Sequence, residues 1–277
     1  MGNTTNSETV KKRRKWPVVL LVILLLIGAL AGFICWNASR NMKAMNETLE
    51  AGMKALSDSC RVTPVDAGEY EKISMYGVMK FDVSQYDLSF PDDSYFGNLS
   101  VMTVNMGFMQ MVSFVITPYS MDLPLLSMDF MYPFGSRKAY TEFYDLVPDT
   151  GTEEYTAVLA GLREFQDRYT KIEELQTDPC WYDDLLSVVM HKKLTREYDH
   201  TVRKMFCDAI ETYMWTARGC AVLDEAGRAE KLRLTQEYSD NLIKNGGVST
   251  DVFKKQLGEE KTKDFFDRVF FGTKRAQ

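Results

Sequence analysis

The segment LSVMTVNMGFMQMVSFVIT occupies residues 99–117 and consists of two similar halves joined by Gly107-Phe108. Both halves are rich in β-branched, aromatic and Met side chains and follow the period of two that is typical of strands. The two-residue link is too short for a helical crossover, so the two strands must run antiparallel. The segment therefore predicts a β-hairpin within an antiparallel sheet.

Further periodic segments lie on both sides of this hairpin. Turn residues such as Gly, Pro, Asp and Asn separate additional predicted strands at residues 73–83, 125–132 and 139–147. The apolar spacing then changes to the helical period, with one more strand predicted at 181–191. The predicted helices are 153–175, 196–218, 225–244, 251–257 and 261–270. Strands followed by helices predict an α+β sandwich in which helices cover one antiparallel sheet.

Residues 16–36 contain no charged side chain. At about 1.5 Å per residue, a helix of this length spans a hydrocarbon core of about 30 Å. Residues 11–15 are all basic, so the positive-inside rule predicts a cytoplasmic N-terminus and an extracytoplasmic C-terminal domain at the cell membrane. A cleaved signal peptide ending near Ala31 is the alternative. The apolar run continues past that site, which favours an uncleaved single-pass anchor.

These patterns divide the chain into four regions. Apolar residues at helical spacing after the anchor predict a helical stalk that leads into the globular domain. The predicted regions are a cytoplasmic basic tail at 1–15, a transmembrane helix at 16–36, a helical stalk at 37–66 and a single domain at 67–277.

Composition excludes several classes of function. The net charge of −6 and the pI near 5.2 argue against a nucleic-acid partner, because such proteins carry excess Lys and Arg. With only two histidines and no C-x-x-C pair, a metal site is not expected. The four cysteines beyond the anchor could form disulfides in an oxidising compartment, but buried thiols are the favoured interpretation.

Three ordered segments resemble a known family. The first is TPYSMDLPLLSMD at residues 117–129, in which a Pro-containing turn leads to Asp-Leu-Pro and a further Asp. The second runs from DPCW at 178–181 to Cys220, and the third runs from QEY at 236–238 to FFDRVFFG at 265–272. Together they resemble the ferredoxin-dependent bilin reductases and the related red chlorophyll catabolite reductases, and the chain would be a divergent, membrane-anchored member.

The resemblance implies a three-layer α/β/α sandwich that binds a linear tetrapyrrole, or bilin, between the sheet and the C-terminal helices. It implies no tightly bound cofactor and an external one-electron donor of the ferredoxin or flavodoxin type. Protons would come from the protein, because a pigment nitrogen needs a donor within hydrogen-bond reach whose pKa is raised by burial. Lysines at 254, 255, 261 and 263 could form a basic face for an acidic redox protein.

The site residues implied by the resemblance depart from the family pattern. Met102 stands where some members have Glu, Ser113 lies near a His position, and Tyr119 follows the turn proline in place of an acid. Gly246-Gly247 replaces an Asn-Asp pair, whereas Asp122 and Asp129 match. The predicted catalytic residues are Asp122, Asp129 and Tyr119, and the predicted ligand-binding residues are Met102, Ser113, Pro118, His191 and Lys193.

Two functions stay open at this point. The first is a bilin reductase that uses the remaining donors; the second is a module at the cell surface that binds bilins or haem-breakdown products without turnover. Asp122 and Asp129 could instead bond backbone amides in the turn, and the methionines of the sheet equally suit an irregular core. An outward-facing domain would also be out of reach of cytosolic ferredoxin.

Overall fold

A computed structural model describes residues 16–247 and 250–276. Its eight strands form one antiparallel sheet in the order β1-β3-β4-β5-β6-β7-β8, with β2 also paired to β3. The strands are β1 (Arg61–Val65), β2 (Lys72–Met75), β3 (Met79–Ser89), β4 (Tyr95–Asn105), β5 (Met109–Pro118), β6 (Leu125–Pro133), β7 (Ser136–Tyr144) and β8 (Leu186–Thr195).

The predicted hairpin is confirmed as β4 and β5. The amide of Met106 donates to the carbonyl of Met109 at 2.9 Å, which closes a two-residue turn. Gly107 adopts φ 77°, a conformation that is open to glycine but unfavourable for other residues. Since β5 is buried over almost its whole length, the hairpin forms the centre of the sheet.

Helices cover both faces of the sheet, which confirms the predicted α+β sandwich with its three layers. One core lies under α1, α2 and α3, and a second core lies under α4, α5 and α6. The helices are α1 (Trp16–Ser57), α2 (Glu153–Asp167), α3 (Asp199–Ala217), α4 (Glu225–Asn245), α5 (Thr250–Leu257) and α6 (Glu259–Phe265), and α6 continues into a π-helical turn at Phe266–Phe270.

Helix α1 combines two environments. Its N-terminal half is long and apolar enough to cross a membrane and is not buried inside the protein. Its C-terminal half packs against α3 and β5, with Met45 and Leu56 in the core. The prediction of a separate stalk at 37–66 is therefore wrong: residues 37–57 belong to the folded domain, and 61–65 form strand β1. The apolar period could not distinguish the two cases, because a helix packed against a core and a stalk helix have the same period.

Several other boundaries differ from the predictions. The predicted strand 73–83 is broken at Tyr76 and Gly77, whose φ values of 51° and 69° make a turn between β2 and β3. The predicted helix 153–175 ends at Asp167, because residues 173–175 instead pair with the open edge of β8. The predicted strand at 181–191 begins at Leu186 and continues to Thr195.

Two expectations concern groups outside the sheet. The basic tail at 1–15 lies outside the described residues. All five cysteines lie within them and are free thiols; of the four beyond the anchor only Cys60 is buried, whereas Cys180, Cys207 and Cys220 are half-buried. The structure therefore contains no disulfide among the described cysteines.

Candidate functional site

A cleft of about 400 Å³ lies between the sheet and the layer formed by α4, α5 and α6. Its floor is the face of β4 to β8 that points away from α1, and its roof is aromatic. Ligand clefts commonly have volumes of about 300–1,000 Å³, so this one is large enough for part or all of a pigment-sized molecule.

The floor of the cleft contains one continuous row of side chains across five strands. In register, Met102 on β4 pairs with Ser113 on β5, Ser113 pairs with Asp129 on β6, Asp129 pairs with Tyr140 on β7, and Tyr140 pairs with His191 on β8. Residues paired in this way share a face of the sheet. The structure therefore brings four of the predicted site residues together, and all five residues of the row line the cleft.

Asp129 is the acid at the centre of this row. Burial raises its pKa to about 6; the nearby hydroxyl of Ser113 opposes this shift by hydrogen bonding, and the charge of Glu142 adds to it. A carboxyl with such a pKa can hold and release a proton near neutral pH. In this respect Asp129 has the property that proton donation requires.

Glu142 is a cleft residue that the sequence reasoning missed. Its Oε1 lies 2.8 Å from His191 Nε2, and its Oε2 accepts a hydrogen bond from the Tyr144 hydroxyl at 2.6 Å. The ring of Tyr140 packs edge-on against the His191 ring at 4.9 Å. Glu142 lies two residues from Tyr140 and so shares its face of β7, but the sequence identified neither residue as part of the cleft.

The opposite wall is a cluster of aromatic side chains. Tyr238 of α4 contacts Tyr144 from the floor, with ring centroids 5.0 Å apart. Phe253 stacks on Phe265 at 5.1 Å and an interplanar angle of 13°. Such a wall offers a flat, conjugated ligand aromatic faces without hydrogen-bonding demands. The wall derives from the C-terminal segments in which the family resemblance was noted.

Residues 176–183 form the edge of the cleft between β8 and α4. The indole Nε1 of Trp181 donates to the carbonyl of Gly246 at 2.8 Å, which ties this segment to the end of α4. Asp178 and Asp183 line the cleft here, and no Lys or Arg is among its lining residues in the described parts of the chain. The lining is therefore acidic and aromatic, and suits a ligand that donates N–H hydrogen bonds.

The structure does not bring the remaining predicted site residues into the cleft. The Tyr119 hydroxyl is buried and donates to the Phe271 carbonyl at 2.8 Å, and burial raises its pKa well above 10. Pro118 is buried at the end of β5, opposite Gly97. Lys193 is half-exposed and pairs with Glu173 at 3.0 Å. All three residues therefore lie outside the lining of the cleft.

Asp122 lies away from the cleft. It neighbours the buried Lys231 of α4, whose charge opposes the upward shift that burial causes in the Asp122 pKa. Lys231 donates to the carbonyl of Leu146 at 3.1 Å and to that of Leu123. Asp122 therefore helps to balance a buried ammonium where α4 meets the β5–β6 connection, and a direct role on a cleft ligand is not supported by its position.

The predicted basic face carries less free charge than its sequence suggests. Lys261 pairs with Glu69 at 3.1 Å, and Lys263 pairs with Asp267 at 3.0 Å. Lys254 donates to the carbonyl of Ile243. Within the described residues there is also no cluster of three His, Cys, Asp or Glu side chains that could hold a metal ion.

Comparison with known proteins finds similarity in structure alone. A scan against protein-family models and a search of curated protein sequences find no match. Among solved structures, the chain is similar to the crystal structure of phytochromobilin synthase from tomato in complex with biliverdin. The TM-score is 0.63 at 15% sequence identity, and the match covers 81% of this chain and 83% of that one. The two proteins therefore share a fold.

Proposed function

We propose that the cleft binds a linear tetrapyrrole and that the protein reduces it in single-electron steps, with Asp129 as a proton donor. The observation that carries the proposal is the row from Met102 to His191, which has the raised-pKa acid Asp129 at its centre and an aromatic wall opposite. The related structure is a complex with biliverdin, a linear tetrapyrrole, which supports the same ligand class here.

The chemistry of the lining suits this ligand. A bilin is flat and conjugated, so it can lie between the strand layer and the stacked rings of Phe253 and Phe265. Its pyrrole and lactam N–H groups need acceptors, which the carboxyl oxygens of Asp129 and Glu142 offer from the floor. Saturating one double bond consumes two electrons and two protons. Asp129 can supply the first proton, regain a proton from solvent and then supply the second.

The electrons must come from outside the chain. The proposed donor is a one-electron carrier of the ferredoxin or flavodoxin type, an acidic redox protein for which the lysines of α5 and α6 offer a docking face. We also infer that residues 16–36 anchor the chain in the cell membrane with a cytoplasmic N-terminus, because this half of α1 is apolar and unburied. With the domain outside, the donor would act in the extracytoplasmic compartment.

Binding without turnover is the second candidate. Met102 and Ser113, at the β4 and β5 positions of the row, carry no acidic group, so the site holds fewer acids than the resemblance implies. A module that captures bilins would need the aromatic wall and the N–H acceptors, but no electron donor.

Titration of the purified full chain with biliverdin, followed by visible absorbance and induced circular dichroism, tests both candidates. A reductase shifts or bleaches the visible band when an anaerobic one-electron donor is added, and an Asp129→Asn variant binds without this change. The exposed Asp58→Asn variant serves as the matched control and should behave as wild type. Binding without any donor-dependent change favours the second candidate, and absence of an induced signal contradicts both.

A further inference from the structure

Exposed apolar side chains concentrate at one end of the sheet. Outside residues 16–36, eight large hydrophobic residues are exposed in the described chain, and five of them lie in turns at this end. These five residues, which we call the rim, are Tyr76, Val78, Phe108, Phe134 and Tyr198, with exposed fractions of 51%, 68%, 50%, 43% and 55%. Single exposed apolar residues are ordinary, but five at one end of a sheet indicate a contact surface.

The strand directions place the rim residues at the same end of the sheet. Lys80 at the start of β3 pairs with Asn105 at the end of β4, Met109 pairs with Pro133 across β5 and β6, and Ser136 pairs with Thr195 across β7 and β8. The β2–β3, β4–β5 and β6–β7 turns and the end of β8 therefore all lie at the same end of the sheet.

Helix α1 enters the domain at this same end without a linker. Asn37, one residue beyond the apolar stretch, is already buried, and Asn41 donates to the carbonyl of Tyr132 at 2.7 Å. Arg196, beside Tyr198, donates to the carbonyl of Phe134 at 2.6 Å and lies over the Trp36 ring at 5.7 Å. A bilayer crossed by α1 would thus end directly against the rim.

Two rim phenylalanines are held outward by their turns. Phe134 adopts φ 46°, a left-handed conformation that bulky residues rarely adopt, at the tip of the β6–β7 turn. Phe108 occupies the tip of the β4–β5 turn, and the two rings stack with centroids 6.4 Å apart. Beyond this mutual stacking, about half of each side chain stays exposed to solvent. At a membrane–water interface, aromatic side chains are stabilised.

We propose that the rim rests in the interfacial layer of the bilayer that α1 spans, so that the domain stands on the membrane with its strands pointing away from it. The inference relies on the proposed membrane anchor and is independent of what the cleft binds. In this orientation Asp129 lies roughly 16 Å along β6 from Phe134, at about 3.3 Å per residue. The cleft is then close to the membrane surface, within reach of apolar pigments or electron carriers that partition into lipid.

Photo-crosslinking of the full chain in phosphatidylcholine vesicles tests the rim. A photoreactive p-benzoylphenylalanine is introduced at position 108 or 134, and matched controls carry it at Trp215 and Tyr95, which are exposed away from this end. We expect phospholipid adducts at positions 108 and 134 in at least tenfold excess over positions 215 and 95, with the chain floating with the vesicles in every case.

Each other outcome overturns the proposal. Crosslinks from 108 or 134 to a second copy of the chain would identify the rim as an interface between copies. Flotation without excess lipid adducts would show that the anchor holds while the rim stands free in water. Failure to float would contradict both the proposed membrane anchor and the proposed role of the rim. Biliverdin titration of the same vesicles reports separately on the cleft, so failure of the proposed function is distinguishable.

Discussion

Glu142 Oε1 lies 2.8 Å from His191 Nε2 across the pairing of β7 and β8, and both side chains are largely buried, with 14% and 16% of their surfaces exposed. The two residues are diagonal neighbours, since Glu142 pairs in register with Val189 and His191 pairs with Tyr140. The pair therefore bridges the row that contains Asp129 and the adjacent row of the cleft floor. Its negative partner contributes to the raised pKa of Asp129.

Removing the charge of Glu142 should lower the pKa of Asp129. In Glu142→Gln the side chain keeps its size but no longer repels an ionised Asp129. We expect the Asp129 pKa to fall from about 6 but to stay above its ordinary value of 3.8, because burial is the larger cause of the shift. Carboxyl carbon chemical shifts followed against pH measure this change. An unchanged or increased pKa would contradict the electrostatic coupling.

Asp129→Asn should stabilise the protein at neutral pH. The folded-state pKa of about 6 exceeds the ordinary value of 3.8, so the folded protein binds this proton more tightly than the unfolded chain does. Stability from this group is therefore present below pH 3.8 and is lost as pH rises through 6. At pH 7 the variant avoids a cost of up to about 3 kcal/mol.

Urea unfolding of the full chain in detergent at pH 7 and at pH 3.5 measures that difference. The gain of Asp129→Asn over wild type should be present at the higher pH and absent at the lower one. Asp58→Asn, at an exposed site, should show no gain at either pH. Equal stability of Asp129→Asn and wild type at neutral pH would mean that burial in the cleft does not raise the pKa of this carboxyl.

The rate of bilin reduction should fall with increasing pH around pH 6, because Asp129 donates only in its protonated form. Asp129→Asn should reduce the rate by about 10²–10⁴-fold, the usual range for loss of a positioned acid, while bilin affinity changes little. Stopped-flow absorbance with a chemical one-electron donor measures both effects. A variant that retains the wild-type rate and pH profile would exclude Asp129 as the donor.

Asn41→Ala should destabilise the domain, because α1 is part of its core. The Asn41 side chain is fully buried and donates to the Tyr132 carbonyl at 2.7 Å. Loss of this bond leaves a buried acceptor unpaired, at a cost of about 1–3 kcal/mol. Urea unfolding measures the effect, and Asn46→Ala on the exposed face of the same helix is the matched control. Equal stabilities for the two variants would restore the interpretation of this segment as a stalk.

Much of the fold was predictable because it depends on local patterns. The period of two in residues 99–117, the short Gly107-Phe108 link and the later change to helical spacing are properties of neighbouring residues, and they specify a hairpin, an antiparallel sheet and a helical cover. The uncharged stretch at 16–36 is equally local. The helix within residues 37–57 was recognised for the same reason, although its partner was not.

The assembly of the site depended on cross-strand register, which no single strand contains. A shift of one residue in the pairing of β6 with β5 would move Asp129 to the opposite face, away from Ser113 and from the cleft. The pairing of Glu142 with His191 and the packing of α1 against the sheet likewise join residues far apart in the chain. Local periodicity identifies the face on which a side chain lies along its own strand, whereas long-range packing selects its neighbours, and those neighbours set the chemistry of Asp129.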